Sequence, residues 1–146
     1  MNPQGPYVAM AIICEAALLD QDQRITCVRI MDAIHLTIPE DRPAPFPVTF
    51  QGNAVISFKS GQFVGSKTLK VELRDPLNNL GKEPKEFPLE FQGNEHGPNL
   101  ILKLDVAIAE EGLYYFNLFL DGELVTRMPL RVKVTRTPRP ETEPEN

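Results

Sequence analysis

The segment from Gly112 to Val134 constrains this chain more than any other. Gly112-Leu113-Tyr114-Tyr115-Phe116-Asn117-Leu118-Phe119-Leu120 alternates and ends in Asp121-Gly122, and Glu123 to Val134 is a second alternating run. Two such runs flanking Asp-Gly spell a β-hairpin. Strand side chains alternate with period two, so Tyr114, Phe116, Leu118 and Leu120 share one face. The second strand's apolar set is Leu124, Met128, Leu130, Val132 and Val134, with Glu123, Arg127, Arg131 and Lys133 on its other face. Both apolar sets sit at even positions. A two-residue turn pairs Leu120 with Glu123 and Phe116 with Arg127, which mixes the faces. A three-residue loop, Leu120 to Gly122, pairs Leu118 with Leu124 and keeps one face apolar. The pattern therefore predicts that loop, with Gly122 as the left-handed residue of a G1 bulge, because a slip by one residue turns the core face to solvent.

The rest of the chain is punctuated in the same way. Tyr7 to Cys14, extending to Leu19, is apolar on nearly every side, and Asp20-Gln21-Asp22-Gln23 reads as a turn. Arg24 to Leu36 is rich in β-branched residues and reads as one strand, with Ile30 and Ile34 facing one way and Ile25, Cys27, Met31 and Ala33 the other. Prolines at 39, 43, 45 and 47 make a helix-excluding loop. Further strands are predicted at 54–59, with Ala54, Ile56 and Phe58 inward; at 67–74, with Leu69, Val71 and Leu73 inward; at 86–92; and at 99–108. Pro88 cannot donate to a ladder, so 86–92 belongs at a sheet edge or carries a bulge. Eight strand-like runs predict an all-β fold, an immunoglobulin-like antiparallel β-sandwich of about eight strands. Tyr114 is placed for a tyrosine corner, its hydroxyl bonding backbone upstream. The domain is read as residues 7–134, with an arm at 1–6 and a proline- and glutamate-containing flexible tail at 135–146.

At 146 residues the chain holds one domain with a self-sufficient core. Its net charge of −5 argues against nucleic acid as a partner, and Arg127, Arg131 and Lys133 are read as a solvated strand face. The N-terminus has no positive charge before its apolar run, as a secretory signal requires, and that run is too short to span a bilayer. A soluble cytoplasmic chain without membrane contact is expected. Cys14 and Cys27 are read as reduced and buried, although pairing of the first two strands would leave a disulfide open to them.

The opening Ile12-Ile13-Cys14-Glu15 through Ile25-Thr26-Cys27-Val28 to Ile34, with the ending Gly112-x-Tyr114-x-Phe116, Asp121-Gly122-Glu123 and Pro129-Leu130-Arg131-Val132, resembles a family of short bacterial proteins of unknown function. The resemblance covers nearly the whole chain apart from its two ends. It implies a β-sandwich in the bacterial cytoplasm and transfers no catalytic residues. One departure is local: the family pattern has a glycine near Gln23, and this chain has none.

No motif for chemistry emerges. His35 and His96 lack a nucleophile context, and Cys14 sits in an apolar strand, so no catalytic site, cofactor or metal is assigned and the chain is read as a non-enzyme. Asp20, Asp22, Asp75 and Asp121 lie in turns, which leaves a calcium- or small-ligand-binding sandwich as the alternative. The main expectation is a protein-interaction module that self-associates or docks in a larger assembly. Its candidate contacts are Tyr115, Phe119 and Val125, apolar residues on the nominally solvent-facing side of the hairpin, together with the outward face of the second strand.

Overall fold

A computed structural model of the chain describes residues 4–138, so residues 1–3 of the arm expected at 1–6 and residues 139–146 of the tail expected at 135–146 lie outside the described residues. Nine strands follow one another: β1 (Tyr7–Leu19), β2 (Ile25–Met31), β3 (Ala33–Pro39), β4 (Val48–Lys59), β5 (Val64–Arg74), β6 (Lys85–Gln92), β7 (Asn99–Ile108), β8 (Gly112–Leu120) and β9 (Glu123–Thr137). They form two sheets, β2-β1-β4-β7 and β3-β9-β8-β5-β6. The fold is an immunoglobulin-like β-sandwich, with Ile13, Ala54, Ile56 and Phe58 of one sheet packed against Leu69, Leu89, Phe91, Phe116, Leu118, Met128 and Leu130 of the other. The inward faces expected for β4, β7 and β8 are the buried ones, and Pro88 sits on the edge strand β6.

The count rises from about eight to nine because the run from Arg24 to Leu36 is two strands. Met31 pairs with Ile13 in the first sheet, whereas Ala33 pairs with Arg131 in the second. Asp32 carries the chain across, and its carbonyl accepts the Arg131 N–H at 2.8 Å. Ile30 and Ile34 therefore do not share a strand face. Ile30 is exposed, while Ile34 packs on the core. The pairing of β3 with β9 is parallel, the one departure from an antiparallel ladder among the described strands. It also draws residues 135–137, expected as tail, into β9.

The hairpin register differs from expectation. Leu120 pairs directly with Glu123 across a two-residue turn, and both turn residues have positive φ, 47° at Asp121 and 83° at Gly122. Such a pair is what a type I′ turn demands. The extra residue needed to keep both apolar sets on one face lies further along. Phe119 pairs with Leu124 but Leu118 pairs with Thr126, so Val125 is a bulge. Beyond it Phe116 meets Met128 and Tyr114 meets Leu130, as the core requires. The turn sits where it does because Asp121 is tied to β5. Its N–H donates to the Thr68 carbonyl at 2.9 Å, its Oδ1 accepts the Thr68 N–H at 2.8 Å, and Lys67 Nζ lies 3.6 Å from its Oδ2. A Cβ on Gly122 would meet nothing within 4 Å, so Gly122→Ala is expected to lose about 1 kcal/mol through its positive φ alone, read as an earlier urea midpoint with unchanged slope.

The β1–β2 turn shows what the missing glycine costs. Gln23 has a φ of 64°, a left-handed conformation that glycine adopts freely. Asp20 holds the turn, its Oδ1 accepting the N–H groups of Asp22 and Arg24 at 2.9 Å each, and its carbonyl accepting the Gln23 N–H at 3.1 Å. Gln23→Gly is expected to stabilise the protein by about 1 kcal/mol, seen as a higher Tm.

Candidate functional site

Tyr115 and Phe119 project from the outer face of β8, as expected, and each is half-buried under a cation. The Arg127 guanidinium lies 4.3 Å from the Tyr115 ring centroid, and Lys70 Nζ lies 4.6 Å from that of Phe119. These cations come from the strands flanking β8, so the aromatic faces are capped within the chain. Val125 is a correction. The bulge turns it inward, where it packs against the core, and leaves Leu124 exposed at 53% beside Phe119. Leu124, expected inside, thus takes the place expected for Val125.

The more open apolar surface lies on the other sheet. In β1, Ala11 and Ile13 pair with the inward residues Ile56 and Ala54, so Ile12 and Cys14 face away from the core. The outward rows run Ile12–Val55–Ile101 and Ile30–Cys14–Asn53–Lys103 across β2, β1, β4 and β7. Ala16 and Val28 form the next cross-strand pair. Cys14 and Val55 are fully buried yet do not belong to the core between the sheets. Around them Ile30 is 61% and Leu18 59% exposed, and Val28 is also exposed. The outer face of an antiparallel sheet is ordinarily polar. This one carries the aliphatic row Ile12–Val55–Ile101 and the aliphatic residues of β1 and β2, with Asn53 and Lys103 as its polar members on β4 and β7. The signal in the sequence was β1 itself, apolar on both faces, but only the sheet order shows which residues of β1, β2, β4 and β7 adjoin.

The polar candidates are dispersed. Cys14 lies buried in the four-stranded sheet, and His35 is exposed on β3 of the other. Burial, with the Cys27 thiol beside it, pushes the Cys14 thiol upward, which disfavours the thiolate a nucleophile needs. Both cysteines are free, and Cys27 is partly exposed. Asp75 accepts the N–H of Asn79 at 2.7 Å and of Leu77 at 3.0 Å, and these bonds, that of Asn79 foremost, hold its carboxyl below the usual range. With Asp20 and Asp121 serving their own turns, three of the four turn aspartates act on backbone. Among the described residues no three of His, Cys, Asp and Glu come together to hold a metal ion. Tyr114 makes the corner expected of it, its hydroxyl donating to the Glu110 carbonyl at 2.7 Å, and burial raises that phenol. No helix among the described residues is long and apolar enough to cross a membrane.

Comparison with solved structures returns matches of low identity. An immunoglobulin-like protein from Pseudomonas aeruginosa is 10% identical over 90% of this chain and 99% of its own, with a TM-score of 0.43. The CARDB domain of a Pyrococcus furiosus protein, in complex with di-metal ions, is 11% identical over 90% of this chain and 97% of its own, with a TM-score of 0.44. A β-glucosidase from Listeria innocua is 14% identical over 73% of this chain, with a TM-score of 0.41, and the match spans only 15% of the enzyme. No curated protein matches the chain. Residues 9–133, almost the entire sandwich, match a family of unknown function, and the chain belongs to that family, DUF6941.

Proposed function

We propose that this protein is a non-catalytic interaction module, which self-associates or docks in a larger assembly through the outer face of its four-stranded sheet. One observation carries this reading: Leu18, Val28 and Ile30 are exposed on the same outer face as Ile12 and Ile101, where alternation ordinarily places polar side chains. Transfer of such aliphatic surface from water contributes about 25 cal/mol per Å² buried. Tyr115, Phe119 and Leu124 on the opposite sheet are a smaller patch capped by Lys70 and Arg127, and act as a secondary contact.

The test is hydrodynamic. Sedimentation at increasing concentration is expected to show an assembly larger than the 16.4 kDa chain. Ile30→Lys with Leu18→Lys is expected to return it to monomer with an unchanged far-UV circular dichroism spectrum, since both side chains face water in the single chain. A wild-type protein that stays monomeric, with solubility and partner recovery unchanged by the double substitution, overturns the reading.

A further inference from the structure

The two sheets do not end together. β1 lies against β9 across the sandwich. Outward from that contact the first sheet adds β4 and β7, whereas the second adds β8, β5 and β6. On the other side each adds a single strand, β2 and β3. The first sheet is therefore one strand short. The C-terminal half of β6 is still covered, since Leu89 and Phe91 are buried and Phe91 meets Phe58 of β4, so it is the N-terminal half, with Lys85 and Phe87, that overhangs. Beneath the edge of β7 the overhang opens a cleft of about 720 Å³, its floor made by Val71, Leu73, Phe87 and Phe116 and its wall by Leu102 and Leu104.

The edges differ in how they are guarded. β6 carries Pro88 in its middle, and β2 carries Arg29 with a φ of 57°. β3 is seven residues long and ends in Pro39. β7 is ten residues long, has no proline and no positive-φ residue, and pairs with β4 without a register break. Edges left regular in this way accept another strand.

We infer that β7 accepts an extended strand from a partner polypeptide, which completes the four-stranded sheet over β6 and lowers alternate apolar side chains into the cleft. This rests on the interaction-module reading but uses a surface separate from the Leu18 and Ile30 face. A strand spaced about 4.8 Å from β7 would lie above β6, with the sheets about 10 Å apart. Pairing of a second copy through its own β7 would bring the overhanging Lys85 and Phe87 of each β6 against β5 of the other. An unaccompanied strand has no such overhang. Lys82, Lys85 and Lys103 border the cleft with Glu83 and Asp105, and none of the three lysines forms an ion pair among the described residues. This rim is net positive on a chain of net charge −5, so it favours a strand with acidic ends.

The probe is a fluorescein-labelled nine-residue synthetic peptide that alternates valine and threonine between terminal glutamates. A saturable rise in anisotropy is expected, with amide shifts in β7 and β6, and both are lost when alternate peptide nitrogens are methylated. Lys82→Glu with Lys85→Glu, both exposed, is expected to weaken binding about tenfold, and a lysine-ended peptide to bind the reversed protein better than the wild type. No saturation up to millimolar peptide, equal binding of the methylated peptide, or shifts centred on Ile30 in place of β7 each overturns strand addition. The last of these leaves the interaction module standing, and the sedimentation test on Ile30 and Leu18 judges that reading independently.

Discussion

Phe58→Ala is expected to remove about 3–5 kcal/mol of stability, a large fraction of the roughly 5–15 kcal/mol that a domain has. Phe58 is fully buried on β4 and faces Phe91 of β6 edge-on, with centroids 6.0 Å apart at 87°. Phe91 in turn meets Phe63 edge-on at 5.9 Å. This ladder closes one end of the sandwich by joining the two sheets. Deleting the Phe58 ring loses the transfer energy of the side chain and leaves a cavity that neighbours on two hydrogen-bonded strands cannot fill. Phe63 is only half-buried, with Lys67 Nζ 4.9 Å from its ring, so Phe63→Ala should cost distinctly less. Urea unfolding of both variants checks the order, and equal losses would show that the end of the sandwich relaxes freely.

Gly97→Ala is expected to cost about 3 kcal/mol by a different mechanism. A Cβ at Gly97 would lie 2.0 Å from the Phe58 carbonyl oxygen and 2.9 Å from the Lys59 Cα, both rigid backbone. The loop must then lift from β4. Two hydrogen bonds hold it there, from the Phe58 N–H to the Pro98 carbonyl at 3.0 Å and from the Ser60 N–H to the His96 carbonyl at 3.1 Å. Losing both removes about 1 kcal/mol each, and the steric shift adds a similar amount. Gly81→Ala is the control, since its nearest neighbour is the flexible Leu73 side chain at 3.2 Å, and it should change stability by less than about 1 kcal/mol. Because Gly97 touches Phe58, the double variant should lose less than the two single losses combined.

The features legible in the chain were those set by neighbours in sequence. Period-two alternation placed Phe58, Leu69, Phe116 and Leu118 inside, because one strand face must be buried whatever lies across from it. Pro88 marked an edge because it lacks an N–H, and Tyr114 reached the Glu110 carbonyl four residues back, a local bond. Even the hairpin parity was correct in principle: one extra residue was needed, and one is present. Its position was not legible. Asp121 is anchored by Thr68 and Lys67, more than fifty residues away, and that anchor makes the turn two residues long and moves the bulge to Val125. The same limit governed the candidate surfaces. Nothing near Asp32 in sequence says that the chain changes sheets there, because the acceptor for its crossing is the distant strand β9. The apolar outer face was visible one strand at a time in β1 and β2, but its continuity through Val55 to Ile101 exists only once β4 lies between β1 and β7. Period and turn chemistry are properties of short segments, and they determined strand content, facing and core. Strand order depends on which distant edges bury the most apolar surface together, and it alone decided the overhang of β6, the open edge of β7 and the breadth of the aliphatic face.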